Sequence, residues 1–277
     1  MVKSIKELRR ICQATKKDKD PLYVSLVLRR FSIYLTWLLL HLPISGNQVT
    51  VLFLLYGAAN AFIFAIPSPW AFLVGSLLLN GWFLLDCSDG EIARYRKQSS
   101  LTGLYLDYLA HYIVHPLMYL CLSWGLFLIF YERYILLLGM AAAFSEIYRE
   151  LTTDCLYKAV CSKWGGVVEE VSSAVTNPKG SFLGRIVKFL NRYVYYAFFT
   201  FPQAIATLIL ISVINLYWPA SSVFGLKMNL FVVFLMIQTF YRLPITLYAF
   251  YNNAVNRSSE RLYLRMREGL KQNGNDQ

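Results

Sequence analysis

Long apolar stretches dominate the chain from about residue 50 onward, and short polar breaks separate them. Six of these stretches hold about 17 residues or more, which is enough for a helix to cross a hydrocarbon core roughly 30 Å thick. They predict spans near 50–67, 69–87, 104–130, 134–157, 194–217 and 228–251. We therefore expect an all-α polytopic membrane protein with six transmembrane helices.

The apolar segment 22–43, ahead of the first predicted span, is interrupted by Arg29 and Arg30. The clean run after them has only about a dozen residues, which is too short to cross a membrane. It fits an amphipathic helix lying in the membrane interface, and Pro43 and Gly46 break it before the first span. The pattern predicts a cytoplasmic N-terminus with this helix over 1–48, a six-helix transmembrane domain over 49–252 with a cytoplasmic loop at 161–192, and a cytoplasmic tail over 253–277.

Composition and charge agree with a membrane protein. Of the 277 residues, 57% are hydrophobic and 16% are charged, and the formal net charge is +11. With the N-terminus inside, the inner segments hold 23 of the 27 Lys and Arg residues, which predicts that both termini lie on the cytoplasmic side. Basic flanks suit anionic lipid headgroups, so the charge requires no nucleic acid partner. The five cysteines lack CxxC spacing, which argues against a disulfide framework or a zinc ribbon.

Acidic side chains gather at the cytoplasmic ends of the second and third predicted spans. Asp86 and Asp89 are three residues apart, and Asp107 and His111 are four apart, so each pair shares one face of a helix. The link 90–103 is short, and it makes the two helices antiparallel neighbours whose faces can meet just inside the membrane. Carboxylates so close in a low dielectric repel each other, which favours a divalent cation, and oxygen ligands favour Mg²⁺ or Mn²⁺.

The residues around these acids suit a phosphate ligand. Gly90 and Gly103 would let a ligand or backbone approach closely, and Arg94 offers a fork of donors for phosphate oxygens. The alternative is that such side chains only line a solvated rim. That alternative is preferred for Arg96 and Lys97, since basic residues there also satisfy the orientation rule.

The stretches DCSDGEIAR and GLYLDYLAH resemble the signature of the CDP-alcohol phosphotransferase family. That signature has two Asp three residues apart, Gly after the second, Ala-Arg further on, and then Gly and Asp at four-residue steps. The matching positions are Asp86, Asp89, Gly90, Ala93, Arg94, Gly103 and Asp107. RRFSIYLT and PISGNQVT resemble the family's interfacial helix and the start of its first span, so the resemblance covers most of residues 25–250.

The resemblance implies a reaction in phospholipid or related lipid or glycan synthesis. The enzyme would split a CDP-linked donor, CDP-diacylglycerol or a CDP-alcohol, release CMP and pass the substituted phosphate to an acceptor hydroxyl. Asp86, Asp89 and Asp107 would hold one or two Mg²⁺ or Mn²⁺ ions against the pyrophosphate. The nucleotide would be bordered by Asn47, Thr50, Gly90, Ala93, Arg94 and Gly103. A homodimer among membrane lipids is also implied.

His111 departs from the family signature, which has a fourth Asp at that position. A neutral imidazole can accept a hydroxyl proton, and its ordinary pKa near 6.5 suits that role. We therefore expect His111 to be the catalytic base and to contribute to the metal site. The alternative is a structural or metal-only histidine in a chain that has lost the transfer reaction.

Three further intramembrane residues, His115, Arg149 and Arg242, could each have a binding role or a structural role. Asp107, His111 and His115 could together bind Zn²⁺ or iron, although a packing role for His115 is preferred. Arg149 and Arg242 fall at matching depth in the cytoplasmic half, where they could hold an acceptor or lipid phosphate or pair with Glu to lock helices. Headgroup contacts are the preferred role of Arg185, Lys188 and Arg192.

Two other functions compete with a transferase. A catalytically silent relative, acting as a membrane scaffold or lipid-binding subunit, would explain His111 but not the intact acids Asp86, Asp89 and Asp107. An ion-coupled transporter would explain buried acids, but it predicts Gly- or Pro-broken spans in matching halves, which the sequence does not show. The sequence favours a membrane transferase and leaves the identity of its donor and acceptor open.

Overall fold

The computed structural model of the chain describes residues 2–14, 20, 23–162, 198–199, 201–218, 221–223, 226–264 and 266. The predicted loop from 163 onward, the first residues of the fifth predicted span, Arg185, Lys188, Arg192 and residues 267–277 lie outside the described residues. The described part is almost entirely helical, as expected.

The helices follow one another with short connections. Two five-residue π-helical segments, Val24–Leu28 and Gln238–Arg242, lead directly into the α-helices that follow them. A small antiparallel hairpin pairs Ser221–Val223 (β1) with Leu226–Met228 (β2). The α-helices are α1 Ile5–Cys12, α2 Arg29–Leu40, α3 Gly46–Ile63, α4 Pro69–Arg96, α5 Leu101–Phe130, α6 Arg133–Ser162, α7 Ala204–Tyr217, α8 Leu230–Ile237 and α9 Leu243–Val255.

Among the described residues, four helical stretches are long and apolar enough to cross a membrane. They are Gly46–Ile63, Pro69–Arg96, Leu101–Phe130 and Leu230–Val255. Helix α6 covers the fourth predicted span, but its charged residues keep it out of this group, and α7 is apolar but has only 14 residues. A helical protein with membrane-spanning helices is therefore confirmed, and the count of six stays a prediction.

The link predicted over 90–103 is mostly helical, which is a correction. Helix α4 continues to Arg96, so the whole motif from Asp86 to Arg94 lies on one helix. Lys97 then ends the helix in the left-handed conformation, with φ 54°, and Ser100 caps α5 by accepting a hydrogen bond from the Gly103 amide at 3.0 Å.

Helix α3 packs closely against both α4 and α5 at the centre of the bundle, and α6 packs on α5. Trp82 is fully buried there and stacks on Phe53 with ring centroids 5.0 Å apart. Gly57 makes this contact possible, since a Cβ at that position would lie 2.4 Å from Trp82 Nε1. The outer surface instead carries exposed apolar side chains, as helices surrounded by hydrocarbon do, among them Leu55, Phe62, Trp70, Leu137, Phe144 and Phe240.

Candidate active site

A cavity of about 420 Å³ opens where the ends of α3, α4 and α5 meet the N-terminal segment. We call it the motif cavity. Nine of the residues singled out in the sequence line it: Asn47, Thr50, Asp86, Asp89, Gly90, Ala93, Arg94, Gly103 and Asp107. The structure thus brings these nine together, although they come from three helices.

Asp86, Asp107 and His111 form a compact group in the wall of the motif cavity and beside it. His111 Nε2 lies 3.5 Å from Asp86 Oδ1 and 3.5 Å from Asp107 Oδ1. One ligand atom from each of the three residues lies within 4.8 Å of the others. Asp107 Oδ1 is buried and has no hydrogen-bond partner among the described residues, so it fits a divalent cation, which would satisfy it.

Asp89 lies apart from this group, although the sequence predicts that it is a metal ligand. Its Oδ2 accepts a hydrogen bond from Thr50 Oγ1 at 2.7 Å, and Thr50 Oγ1 also donates to the Gly46 carbonyl at 3.1 Å. The Asp89 side chain is therefore oriented by α3. Its participation in metal binding stays a prediction.

Two glycines keep the motif cavity open. A Cβ on Gly103 would lie 2.7 Å from Asn47 Oδ1, and a Cβ on Gly90 would lie 3.2 Å from Arg94 Nη1. Arg94 is fixed from behind, because its Nε donates to the Cys12 carbonyl at 2.8 Å. A larger residue at either glycine would therefore fill space that a ligand of Asn47 or Arg94 needs.

Glu91 is a residue of this region that sequence reasoning missed. Its carboxylate is fully buried and accepts hydrogen bonds at 2.7–3.1 Å from four side chains of the N-terminal region. The donors are Gln13, Arg29, Ser32 and Thr36. The sequence offers one signal for this role. Glu91 is an acid one helical turn before Arg94, and the predicted interfacial helix carries two arginines that could pair with it.

Arg29 links Glu91 to the motif cavity. Its Nε also donates to Asp20 at 2.7 Å, and both Arg29 and Asp20 line that cavity. Burial disfavours the charge on Arg29, but the hydrogen bond to Asp20 and the nearby negative charges outweigh it and raise its pKa. The guanidinium therefore stays charged in the cavity wall.

A second cavity of about 260 Å³ lies on the other side of Phe83 and Asp107, which line both cavities. We call it the aromatic cavity, and its other lining residues are Tyr108, His111, Tyr112, His115, Arg149, Glu150 and Phe201. The His111 ring is held against Phe53 and Trp82, with centroid distances of 5.4 Å and 5.5 Å. His111 therefore stands at the boundary, with Nε2 toward the acids and its ring in the second cavity.

Arg149 and Arg242 converge on Glu146, which is 1% exposed. Arg242 pairs with Glu146 Oε2, and Arg149 Nη2 lies 2.9 Å from Glu146 Oε1. Arg242 lines neither cavity in the described part of the chain, whereas Arg149 lines the aromatic one. This geometry agrees with the alternative in which Arg242 pairs with a glutamate and locks two helices together.

His115 is not part of the Asp86, Asp107 and His111 ligand group, although its ring lies 5.1 Å from that of His111. Its Nδ1 faces Glu146 at 3.4 Å, and its ring stacks on Phe201 at 4.5 Å. His115, Glu146 and Glu150 lie close enough to share a metal, but Arg149 and Arg242 already neutralise the two carboxylates. The packing role is therefore favoured over a zinc or iron site.

Comparisons with known proteins supply an independent observation. The family model described as CDP-alcohol phosphatidyltransferase matches residues 44–238. That range contains every residue of α3, α4 and α5 that lines the motif cavity. Among solved structures, the chain is similar to Mycobacterium tuberculosis phosphatidylinositol phosphate synthase (PgsA1), whose structure has CDP-DAG bound. That similarity has 18% identity and a TM-score of 0.42 over 78% of this chain and 94% of the other. No curated protein matches the sequence.

Proposed function

The chain belongs to the CDP-alcohol phosphatidyltransferase family, and from this premise we propose how its two cavities divide the reaction. The protein transfers a substituted phosphate from a CDP-linked donor to an acceptor hydroxyl and releases CMP. The observation that carries this proposal is the motif cavity, in which nine residues of the expected site converge.

In this proposal the motif cavity binds the CDP portion of the donor, which is CDP-diacylglycerol or a CDP-alcohol. Asp86, Asp89 and Asp107 would hold one or two Mg²⁺ or Mn²⁺ ions, which supply positive charge to pyrophosphate oxygens when bound. Arg94 adds a guanidinium to the same wall, and Asn47, Thr50 and Ala93 border the nucleotide. Gly90 and Gly103 leave the necessary space.

The acceptor enters the aromatic cavity and presents its hydroxyl to His111. The His111 imidazole takes the hydroxyl proton, while Asp86 and Asp107, whose Oδ1 atoms each lie 3.5 Å from Nε2, hold the ring in place. Tyr108 and Arg149 line the same cavity and offer hydrogen bonds to a polar acceptor. Arg242 acts through Glu146 and does not reach the acceptor.

The membrane arrangement proposed with this reaction has six spans, with both termini and the active site on the cytoplasmic side. Helix α2 exposes apolar side chains, among them Phe31, Tyr34 and Leu38, which suits a helix lying in the interface. A homodimer is part of the same proposal. A silent scaffold is not favoured, because a scaffold has no use for converging acids that are costly to bury.

The test is CMP release by the purified protein in lipid, with Mg²⁺ or Mn²⁺, CDP-diacylglycerol and a panel of polar acceptors. We expect His111→Ala and Asp107→Asn to lower acceptor-dependent CMP release roughly 10²–10⁴-fold, and His111→Asp to keep part of it. His41→Ala is the matched control, since His41 is exposed and its ring contacts Trp37 one helical turn earlier.

Three outcomes separate the possibilities. CMP release that survives His111→Ala unchanged would remove His111 from the chemistry. Metal-dependent CDP binding without turnover would identify a CDP-alcohol donor or a silent relative, and a CDP-alcohol panel separates those two. Absence of any nucleotide binding would contradict the proposed function.

A further inference from the structure

A third cavity, of about 580 Å³, lies between α1 and α2 and is not explained by the motif. Its lining includes Lys6, Arg9, Arg10, Asp20, Arg29 and Arg30. Five of these side chains are cationic and one is a carboxylate. We call it the basic cavity.

The packing of α1 places the cations there. Leu8 and Cys12 are fully buried against an apolar cluster that contains Ile33 of α2 and Ile92 of α4. With this face of α1 committed to the core, its other positions carry Lys6, Arg9 and Arg10 into the cavity lining. Ser4 and Glu7 form a capping box that fixes the start of the helix. The cations are therefore held by a packed helix.

Within the part of the chain that the structure describes, most of the cations in the basic cavity form no ion pair with a carboxylate. Arg29 is the exception, since it pairs with Asp20 and Glu91. Lys6, Arg10 and Arg30 form no ion pair among the described residues.

Arg9 also lacks an acidic partner in the described part of the chain. Its Nη2 donates to the Arg30 carbonyl at 3.4 Å, and its guanidinium lies 5.9 Å from the Tyr34 ring centroid. Cations gathered in this way repel each other, and an anion between them relieves that repulsion.

We propose that the basic cavity binds the phosphate group of an anionic ligand, with an anionic phospholipid headgroup as the favoured source. Helix α2 exposes Phe31, Tyr34, Trp37 and Leu38, so the cavity borders an apolar surface, which suits a position among lipid headgroups. A basic residue near such headgroups attracts them, and the aliphatic stems of Lys and Arg supply apolar walls. The proposal concerns binding and does not depend on the transfer reaction.

The test titrates the purified full-length protein, in uncharged detergent, with dioctanoyl phosphatidylglycerol, dioctanoyl phosphatidylcholine or inorganic phosphate. The variant Lys6→Gln/Arg10→Gln removes two exposed cations of the cavity. Its matched control, Arg133→Gln/Lys227→Gln, removes two exposed cations that lie outside the cavity lining. Arg30→Gln is a second cavity variant in case the first unfolds.

We expect the wild type and the control to bind dioctanoyl phosphatidylglycerol, and the double cavity variant to bind it about tenfold more weakly or worse. Dioctanoyl phosphatidylcholine should bind all three proteins alike. Competition by inorganic phosphate would identify free phosphate as a second source, whereas its failure to compete would assign the site to the lipid headgroup. Equal affinity for phosphatidylglycerol in all three proteins, or an equal loss in the control, would overturn the proposal.

CDP with Mg²⁺, titrated into the same proteins, reports separately on the motif cavity. CDP binding by the cavity variant shows that it is folded. If none of the proteins bound CDP, the proposed function would fail, while the lipid titration would still decide the role of the basic cavity.

Discussion

The buried carboxylate of Glu91 connects the N-terminal region to the helix that carries the motif. It lies two residues after Asp89 and accepts hydrogen bonds from Gln13, Arg29, Ser32 and Thr36. Since Arg29 also lines the motif cavity, Glu91 holds one wall of the proposed donor site without touching its interior. We infer that it positions this wall.

Glu91→Gln should weaken both folding and donor binding. A neutral amide replaces one acceptor oxygen with a donor and removes the charge that partners Arg29, which costs about 3 kcal/mol of folding free energy. We expect a lower thermal midpoint and a donor KM roughly tenfold higher with a smaller change in kcat. Glu132→Gln is the control, since Glu132 lies in the link between α5 and α6. A fall in kcat alone would contradict a positioning role.

At the level of single residues, the sequence predicts groups that are close along the chain better than groups joined by packing. The pairing of Asp107 with His111 follows from their spacing of four on one helix, and Asp86 reaches them from the helix linked to it. Arg242 is different, because its partner Glu146 comes from another helix 96 positions earlier. Pairing across such a separation depends on how α6 packs, and that packing has no local sequence signal.

At the level of helices, the Glu146–Arg242 pair ties α6 to the segment that joins α8 and α9. Glu146→Gln leaves the Arg242 charge buried without its carboxylate, which should cost about 3–5 kcal/mol of unfolding free energy. The double variant Glu146→Gln/Arg242→Gln should recover part of this loss. Unfolding in mild detergent would measure it, and Glu150→Gln, at a neighbour whose side chain is 27% exposed, is the control. An equal loss in the single and double variants would argue against the pair as a helix tie.

Gly125 lets α5 pass the turn that joins α3 and α4. A Cβ there would lie 2.3 Å from the Phe64 carbonyl oxygen, which is backbone and cannot rotate away. At Gly81 the atom in the way is the Tyr56 hydroxyl, at 2.6 Å, which lies at the end of a side chain. Replacing either glycine with alanine gains about 1 kcal/mol of helix propensity, so the two variants differ only in the clash that the new Cβ meets. Gly125→Ala should therefore lower the thermal midpoint, and Gly81→Ala should change it far less. Equal thermal midpoints for the two variants would show that the turn between α3 and α4 moves to make room for the new Cβ.

The helices themselves could be predicted from apolar length, but their ends could not. The sequence pattern predicts that the motif runs into a link over 90–103, whereas α4 continues to Arg96. The continuation is stabilised by tertiary contacts. Arg94 reaches Cys12, and Arg96 donates to the carbonyls of Leu42 and Ile44. A polar stretch that reads as a loop is thus held as a helix by the N-terminal segment.

At the level of the whole molecule, the distribution of Lys and Arg predicts which side of the membrane each loop faces, and exposed thiols allow a direct test. Cys161 is exposed near the end of α6 on the predicted cytoplasmic side, whereas Cys12, Cys87 and Cys121 are buried. In sealed cells, a membrane-impermeant maleimide should leave Cys155→Ser protein unlabelled until the membrane is opened. The control Cys155→Ser/Cys161→Ser/Tyr217→Cys places a thiol at the exposed far end of α7 and should label at once. The reverse order of labelling would invert the predicted topology and place the motif cavity on the outer side of the membrane.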